Sequence, residues 1–257
     1  MSQRDAVRAV IDSESPWKMT RRSLGGQGGY KMSASEWQSL LARAKRGDPE
    51  AEWGVADRYG DGVHDNKGKV LVRRSARRAV QWLRRAAEHG CTSAQNNLGI
   101  QLGNGESVKK NVREALLWLR KASRAGHSLA ASNIAITYRE NGKLEAAVRW
   151  FRKSVAAGDE DDLVQLGIHY FWGKGVRKNP KAAVRCFRRA TKGKNLCEAS
   201  REDAFFFLGI AYLEGKGERT SIPKARRLFQ RANIDNDHPA ARTVLHVLSG
   251  SSGDEAV

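Results

Sequence analysis

Cysteine is scarce in this sequence: Cys91, Cys186 and Cys197 are its only three, and no two stand at metal-ligand spacing. An odd number of thiols in a 257-residue chain excludes a disulfide-stapled secreted scaffold and points to a reducing compartment. Long hydrophobic runs are missing as well. Nothing approaches the ~18 uninterrupted apolar residues of a membrane span, and no apolar leader stands near the start. The N-terminal stretch mixes Arg4, Arg8, Arg21 and Arg22 with Asp5, Asp12 and Glu14, unlike an acid-poor transit peptide. The expectation is a cytoplasmic protein with no transmembrane segment. Acids are in short supply, 28 against 46 Lys and Arg, which leaves a formal charge of +18. With 40% hydrophobic residues and a mean hydropathy of −0.60, the chain still holds enough apolar surface for a core. The excess charge calls for an acidic partner, but it informs on association rather than on fold.

Catalytic constellations are equally sparse. Among six histidines no two lie four apart, so a helical zinc pair is excluded and no metal or cofactor is expected. Gly25-Gly26-Gln27-Gly28-Gly29 precedes Lys31 and Ser33, yet a phosphate loop needs Gly directly before Lys, where Tyr30 stands. It reads as a flexible linker that leaves residues 1–32 as a basic N-terminal arm, in which Ala6, Val7, Val10 and Ile11 can form a short amphipathic helix. The acidic run Asp159-Glu160-Asp161-Asp162 is expected at a helix start, where the positive end of the dipole favours it. No nucleophile, base and orienting group stand at recognisable spacing, so the chain is read as non-enzymatic.

What the sequence does contain is repetition. A small residue, then an aromatic or Leu, then a turn residue recur together: Ala51, Tyr59, Gly62; Ala94, Leu102, Gly105; Ala130, Tyr138, Asn141; Asp162, Tyr170, Gly173; Ala204, Tyr212, Gly215. Each set predicts a helix ending in a turn. Each is followed by an apolar helical stripe: Ala79, Trp82, Leu83, Ala86; Ala115, Trp118, Leu119, Ala122; Ala147, Trp150, Phe151, Ser154; Ala183, Cys186, Phe187, Ala190; Ala225, Leu228, Phe229, Ala232. Ser75, Asn111, Asn179 and Ser221 stand where second-helix N-caps belong, with Pro180 at a first helical position. Gly90, Gly126 and Gly158 suit left-handed C-terminal turns. The unit recurs at a spacing of about 32 to 42 residues, the period of an α-solenoid. Residues 33–46, with Trp37, Leu40, Leu41 and Ala44, and Ala240 to Leu248 read as capping helices before and after the repeats.

Leu166-Gly167-Ile168-His169-Tyr170-Phe171-Trp172-Gly173-Lys174-Gly175-Val176 and Leu208-Gly209-Ile210-Ala211-Tyr212-Leu213-Glu214-Gly215-Lys216-Gly217 resemble the Sel-one-like repeat, a relative of the tetratricopeptide repeat. The resemblance spans five repeats over residues 48 to 236. The third, with Asn141-Gly142, is locally closer to a tetratricopeptide repeat, and the first has Ala56 where the family prefers Gly. The implied architecture is all-α: a superhelical solenoid of about five helix pairs with capping helices over residues 33–248, and a polar tail at 249–257. Some family members are cysteine-rich exported proteins with cysteines paired in each repeat; this sequence lacks that arrangement, so their export is not carried over.

In such solenoids the side of the first helices turned away from their partners lines a groove. Helical periodicity puts Asn97, Asn133 and Gln165 there, then Phe207, together with Ile100, Ile136, Ile168 and Ile210. Side-chain amides in a column can bind an extended peptide backbone, and Phe171, Trp172, Phe206 and Phe207 add aromatic area at the C-terminal end. The isoleucines have a competing role in packing neighbouring first helices. The pairs Arg84-Arg85, Arg120-Lys121, Arg152-Lys153 and Arg188-Arg189 fall at one position of successive second helices and read as a solvated outer face. The less routine cluster is Lys67, Lys69, Arg73, Arg74, Arg77 and Arg78, read as an inserted loop of the first repeat with only Asp65 opposing it. The expected function is an interaction scaffold or adaptor, with a bacterial immunity or secretion-associated protein as the concrete version, and the expected partner is a protein with an acidic surface. Nucleic acid is the alternative partner, supported by net charge without a base-reading pattern.

Overall fold

In the computed structural model, residues 29–105, 107–234 and 238–249 are described. Twelve helices run through them. Helix α1 (Ala34–Lys45) opens on a capping box in which the Ser33 hydroxyl accepts the Glu36 N–H and the Glu36 carboxylate accepts the Ser33 N–H. In α2 (Pro49–Asp61), Asp48 caps the N–H groups of Glu50 and Ala51, and Pro49 occupies the first turn. Then follow α3 (Ala76–Glu88), α4 (Thr92–Asn104), α5 (Val112–Arg124), α6 (Ala130–Glu140) and α7 (Leu144–Ala156). The last are α8 (Asp162–Trp172), α9 (Pro180–Ala190), α10 (Glu198–Glu214), α11 (Ile222–Ala232) and α12 (Pro239–Ser249). Ser75, Asn111 and Asn179 cap α3, α5 and α9 through their side chains, whereas Ser221 stands at the same place before α11 without a side-chain hydrogen bond. Helix breaks fall where glycine was expected: Gly90, Gly126 and Gly158 all have positive φ. The expected N-terminal helix around Ala6 and the end of the polar tail lie outside the described residues.

The helices fall into two compact units, α1 to α6 and α7 to α12, divided between Gly142 and Lys143. In each, every helix packs on the next, and one pair of first helices also touches directly, α4 with α6 and α8 with α10. The core of the first unit runs through Leu83, Leu98, Leu102 and Trp118, beside a smaller cluster of Ala44, Ala51 and Val55. The second has a larger, aromatic core that includes Phe187, Phe206, Phe207 and Phe229.

What sets the spacing of a helix pair is the missing side chain of the Leu-Gly motif. A Cβ on Gly99 would lie 2.6 Å from Leu119, one on Gly167 2.4 Å from Phe187, and one on Gly209 2.7 Å from Phe229. The large residue of each second helix therefore seats on bare backbone of the first. The Gly-Lys-Gly turns act similarly: Gly175 sits against the backbone of Leu144 and Gly217 against that of Pro180, at the starts of α7 and α9, both with positive φ.

The first repeat departs from pure helix. Its extra residues form a hairpin, β2 (Val63–His64) and β3 (Val70–Val72), on which β1 (Tyr30–Lys31) lies parallel to β2. The Asp65 carboxylate accepts the N–H groups of Lys67 and Lys69, both at 2.8 Å, and Gly68 turns the chain at φ +81°. Val63 and Val72 are buried beneath it. The end of the N-terminal arm is thereby docked: the Tyr30 N–H donates to Gly62 O, the Met32 N–H to His64 O, the Tyr30 hydroxyl bonds Asp57, and the Arg58 guanidinium covers the ring at 4.4 Å. Donation to the Asp57 carboxylate pushes the Tyr30 phenol from its ordinary 10.0 up to about 12.

Two predictions follow from these contacts. Replacing Gly167 with Ala should cost about 1–3 kcal/mol in urea unfolding by overpacking against Phe187, whereas Gly60→Ala in α2, where no atom lies within 4 Å of an added Cβ, should leave the midpoint unchanged or raised. In an ultraviolet phenolate titration, one tyrosine should ionise near 12 and disappear in Tyr30→Phe. Because the folded pKa is the higher one, the bond to Asp57 is intact below pH 10.0 and is lost as pH rises through about 12.

Candidate protein-interaction surface

In the first unit the amides meet in a connected way. Asn97 on α4 and Asn133 on α6 are half-buried, and Asn96 links them: Asn133 Nδ2 donates to Asn96 Oδ1 at 2.8 Å, and Asn96 Nδ2 to Asn97 Oδ1 at 3.4 Å. Periodicity placed Asn97 and Asn133 in one column but missed Asn96, which is buried at 4% exposure. The linkage leaves Asn97 Nδ2 and Asn133 Oδ1, a donor and an acceptor on adjacent helices, without a partner among the described residues.

In the second unit the corresponding positions turn inward. Gln165 on α8 is only 8% exposed, and Phe207, its counterpart on α10, is 2% exposed. Phe171 and Phe206 are equally buried, so the expectation that these three phenylalanines add aromatic area to a groove is corrected: they are core. Phe207 stacks on Phe187 at 5.5 Å and Phe206 packs on Phe229 at 5.6 Å. The physical reason is lateral packing. A wheel drawn around one helix separates the face toward its partner from the opposite face, but α10 also meets α8 and α9, which cover the flank that the wheel left open. Of the four aromatics only Trp172 keeps exposed area, its edge on Phe171 and Phe207. Ile168 and Ile210 are fully buried, while Ile100 and Ile136 are half-buried.

The outer charges are not merely solvated. Arg120 donates to the Tyr138 hydroxyl at 2.6 Å, Arg152 to Tyr170 at 3.0 Å and Arg188 to Tyr212 at 2.9 Å, so one Arg position of the second helix clamps the Tyr of the following first helix. Where Leu102 replaces that Tyr, Arg84 pairs with Glu114 at 2.6 Å instead, and this ion pair is the main reason the Glu114 carboxyl lies below its usual range. Lys121 and Lys153 lie over Trp118 and Trp150 at 4.2 and 4.5 Å. Arg85 reaches the fully buried Glu52 at 2.5 Å, with His89 on its other oxygen at 2.8 Å, a cluster that no sequence spacing announced.

The cluster at 67–78 remains exposed, but it is not a loop. Lys67 and Lys69 stand at the hairpin tip, Arg73 and Arg74 follow β3, and Arg77 and Arg78 occupy the first turn of α3. Arg74 donates to Gly60 O at 2.8 Å and Arg78 covers the Tyr59 ring at 5.5 Å. Lys67, Lys69, Arg73 and Arg77 make no ion pair among the described residues. The first turn of α3 contains no acid, so the positive end of its dipole faces cations of the same sign.

Among the described residues no three His, Cys, Asp or Glu side chains are grouped to hold a metal ion, and no helix is long and apolar enough to cross a membrane. Family models match the Sel1 repeat at residues 49–91, 92–127, 139–159, 163–195 and 203–235. No curated protein matches the sequence. Among solved structures, a Sel1 repeat protein from Oxalobacter formigenes is 25% identical, with 79% of this chain and 80% of that one aligned at a TM-score of 0.62. A protective antigen present in uropathogenic Escherichia coli strains and displaying an SLR fold is 23% identical, with 85% of this chain covering 53% of that one at a TM-score of 0.54. An immunity protein from Pseudomonas aeruginosa is 18% identical over 77% of this chain and 75% of that one, at a TM-score of 0.45.

The core assignment of Phe207 is checked by truncation: Phe207→Ala should lower unfolding free energy by about 3–5 kcal/mol, a cavity cost that a groove residue would not incur.

Proposed function

Because the chain belongs to the Sel1 repeat family, we propose that it is a non-enzymatic interaction scaffold that holds an acidic protein segment against the hairpin and α3 start of the first repeat. One observation carries this reading. Six exposed cations, Lys67, Lys69, Arg73, Arg74, Arg77 and Arg78, are gathered within twelve residues at a helix N-terminus that already favours anions, and none of them makes an ion pair among the described residues. Like charges so placed repel one another, and a negatively charged partner relieves that repulsion. Asn97 and Asn133, on α4 and α6 of the same unit, offer a donor and an acceptor to extended backbone. The acidic surface steers encounter and the amides add direction. The immunity and secretion settings are particular uses of such a scaffold.

The reading is tested by titrating the full chain with a fluorescent glutamate-rich peptide and with a single-stranded oligonucleotide of equal charge across a salt series. The expected result is saturable peptide binding that falls about tenfold in the Lys67→Glu, Lys69→Glu, Arg73→Glu variant, mainly through a slower association rate. Preferential oligonucleotide binding with a steep salt slope, or no change in the variant, overturns it.

A further inference from the structure

A second concentration of charge lies in the second unit, around an open depression of the surface. Where α9 ends, the chain turns through residues 191–197 around a depression of about 550 Å³. That volume falls within the range of about 300–1,000 Å³ common for small-ligand pockets. The lining contains no aromatic or aliphatic side chain. It consists of Arg188, Arg189, Lys192 and Lys194, the amide of Asn195, the backbone of Gly193 and one acid, Glu160.

The loop is tied down from two sides. The acidic run stands at the start of α8 as expected, and two of its members also anchor the next repeat: Glu160 accepts the Asn195 N–H at 3.2 Å and Asp161 accepts the Cys197 N–H at 3.0 Å. Arg201 on α10 donates to Gly193 O at 3.1 Å. At Gly193 the fit is close: an added Cβ would stand 2.7 Å from Glu160 Oε2. Glu160 keeps its own negative charge, one against the four cations of the lining. Arg188 is engaged by Tyr212 and by Glu218 at 2.7 Å, but Arg189, Lys192 and Lys194 are exposed and make no ion pair among the described residues. The C-terminal end of α9 contributes negative potential here, so the attraction for an anion comes entirely from these side chains.

We infer that this depression binds a compact, multivalent phosphoryl anion of the pyrophosphate or tripolyphosphate kind, through Arg189, Lys192 and Lys194. Arg189 offers a planar fork for two phosphoryl oxygens and the lysines act as point charges. Three cations around one depression match closely spaced negative charge, whereas an acidic peptide presents its carboxylates singly along a strand. The lining contains no aromatic ring to hold a base, and its guanidinium groups are taken up by the phosphoryl oxygens and by Glu218, so the site reads the phosphoryl group, whether free or carried by a nucleotide.

Calorimetric titration of the full chain with sodium tripolyphosphate, and separately with ATP, at a constant ionic strength of about 0.15 M tests this. The expected result is one saturable site with the two ligands within about threefold of each other, since both present the same oxygens. The Arg189→Gln, Lys192→Gln, Lys194→Gln variant should bind about tenfold more weakly or worse, with an unchanged circular dichroism spectrum; the single Lys192→Gln variant should lose a smaller factor. Lys67→Gln, Lys69→Gln, Arg73→Gln removes the same charge from the first unit and should leave the affinity unaltered, which separates this site from the peptide surface proposed above. Equal loss in both triple variants, absence of saturable binding, or displacement by a glutamate-rich peptide at lower concentration than tripolyphosphate overturns the inference.

Discussion

The close approach of paired helices is the constraint on which the rest depends. Gly99, Gly167 and Gly209 present bare backbone to Leu119, Phe187 and Phe229, and a side chain of any size at those points would push the helices apart. Interiors are packed too tightly to absorb such a shift locally, so the spacing of one pair sets where the next can lie. It decides which flanks of α10 are covered, and hence that Phe206 and Phe207 are buried. It also brings each outer Arg within reach of the following Tyr.

Charge is divided by the same packing into two kinds. The paired outer-helix cations at 84–85, 120–121, 152–153 and 188–189, Arg189 apart, are committed to tyrosine hydroxyls, to indole faces or to Glu52 and Glu114, and they tie successive elements together. Exposed cations without an ion pair also gather where the regular repeat is interrupted, at the hairpin of the first repeat and at the turn after α9. The regular repeat offers one Arg of each pair a partner at fixed spacing, and an insertion breaks that spacing. The net charge of +18 is a poor guide to binding by itself, since it does not say which cations are already engaged.

Helix pairs, their capping residues and the breaks between them were legible in the sequence because they rest on contacts within a few residues of one another: Asn111 with Glu114, Asn179 with Ala182. The five repeats were legible because a stripe of small and apolar residues recurs, and its period reports stacking. Less was legible where partners are distant. The strand pairing of Tyr30–Lys31 with Val63–His64 rests on two-residue elements more than thirty positions apart, too short to show a strand periodicity. Asn96, the Glu52 cluster and the loop anchors Glu160 and Asp161 are likewise joined to residues 35 to 37 positions away or, for Arg85, nearly as far.

Taken alone, the sequence determined the all-α class, the repeat family and the surplus of positive charge, since composition and local periodicity carry all three. Tertiary structure alone decided which aromatic residues are core, which cations are spent and which are left over. Those outcomes depend on what each helix meets on its flanks, and a periodicity drawn around a single helix axis contains no information about its neighbours.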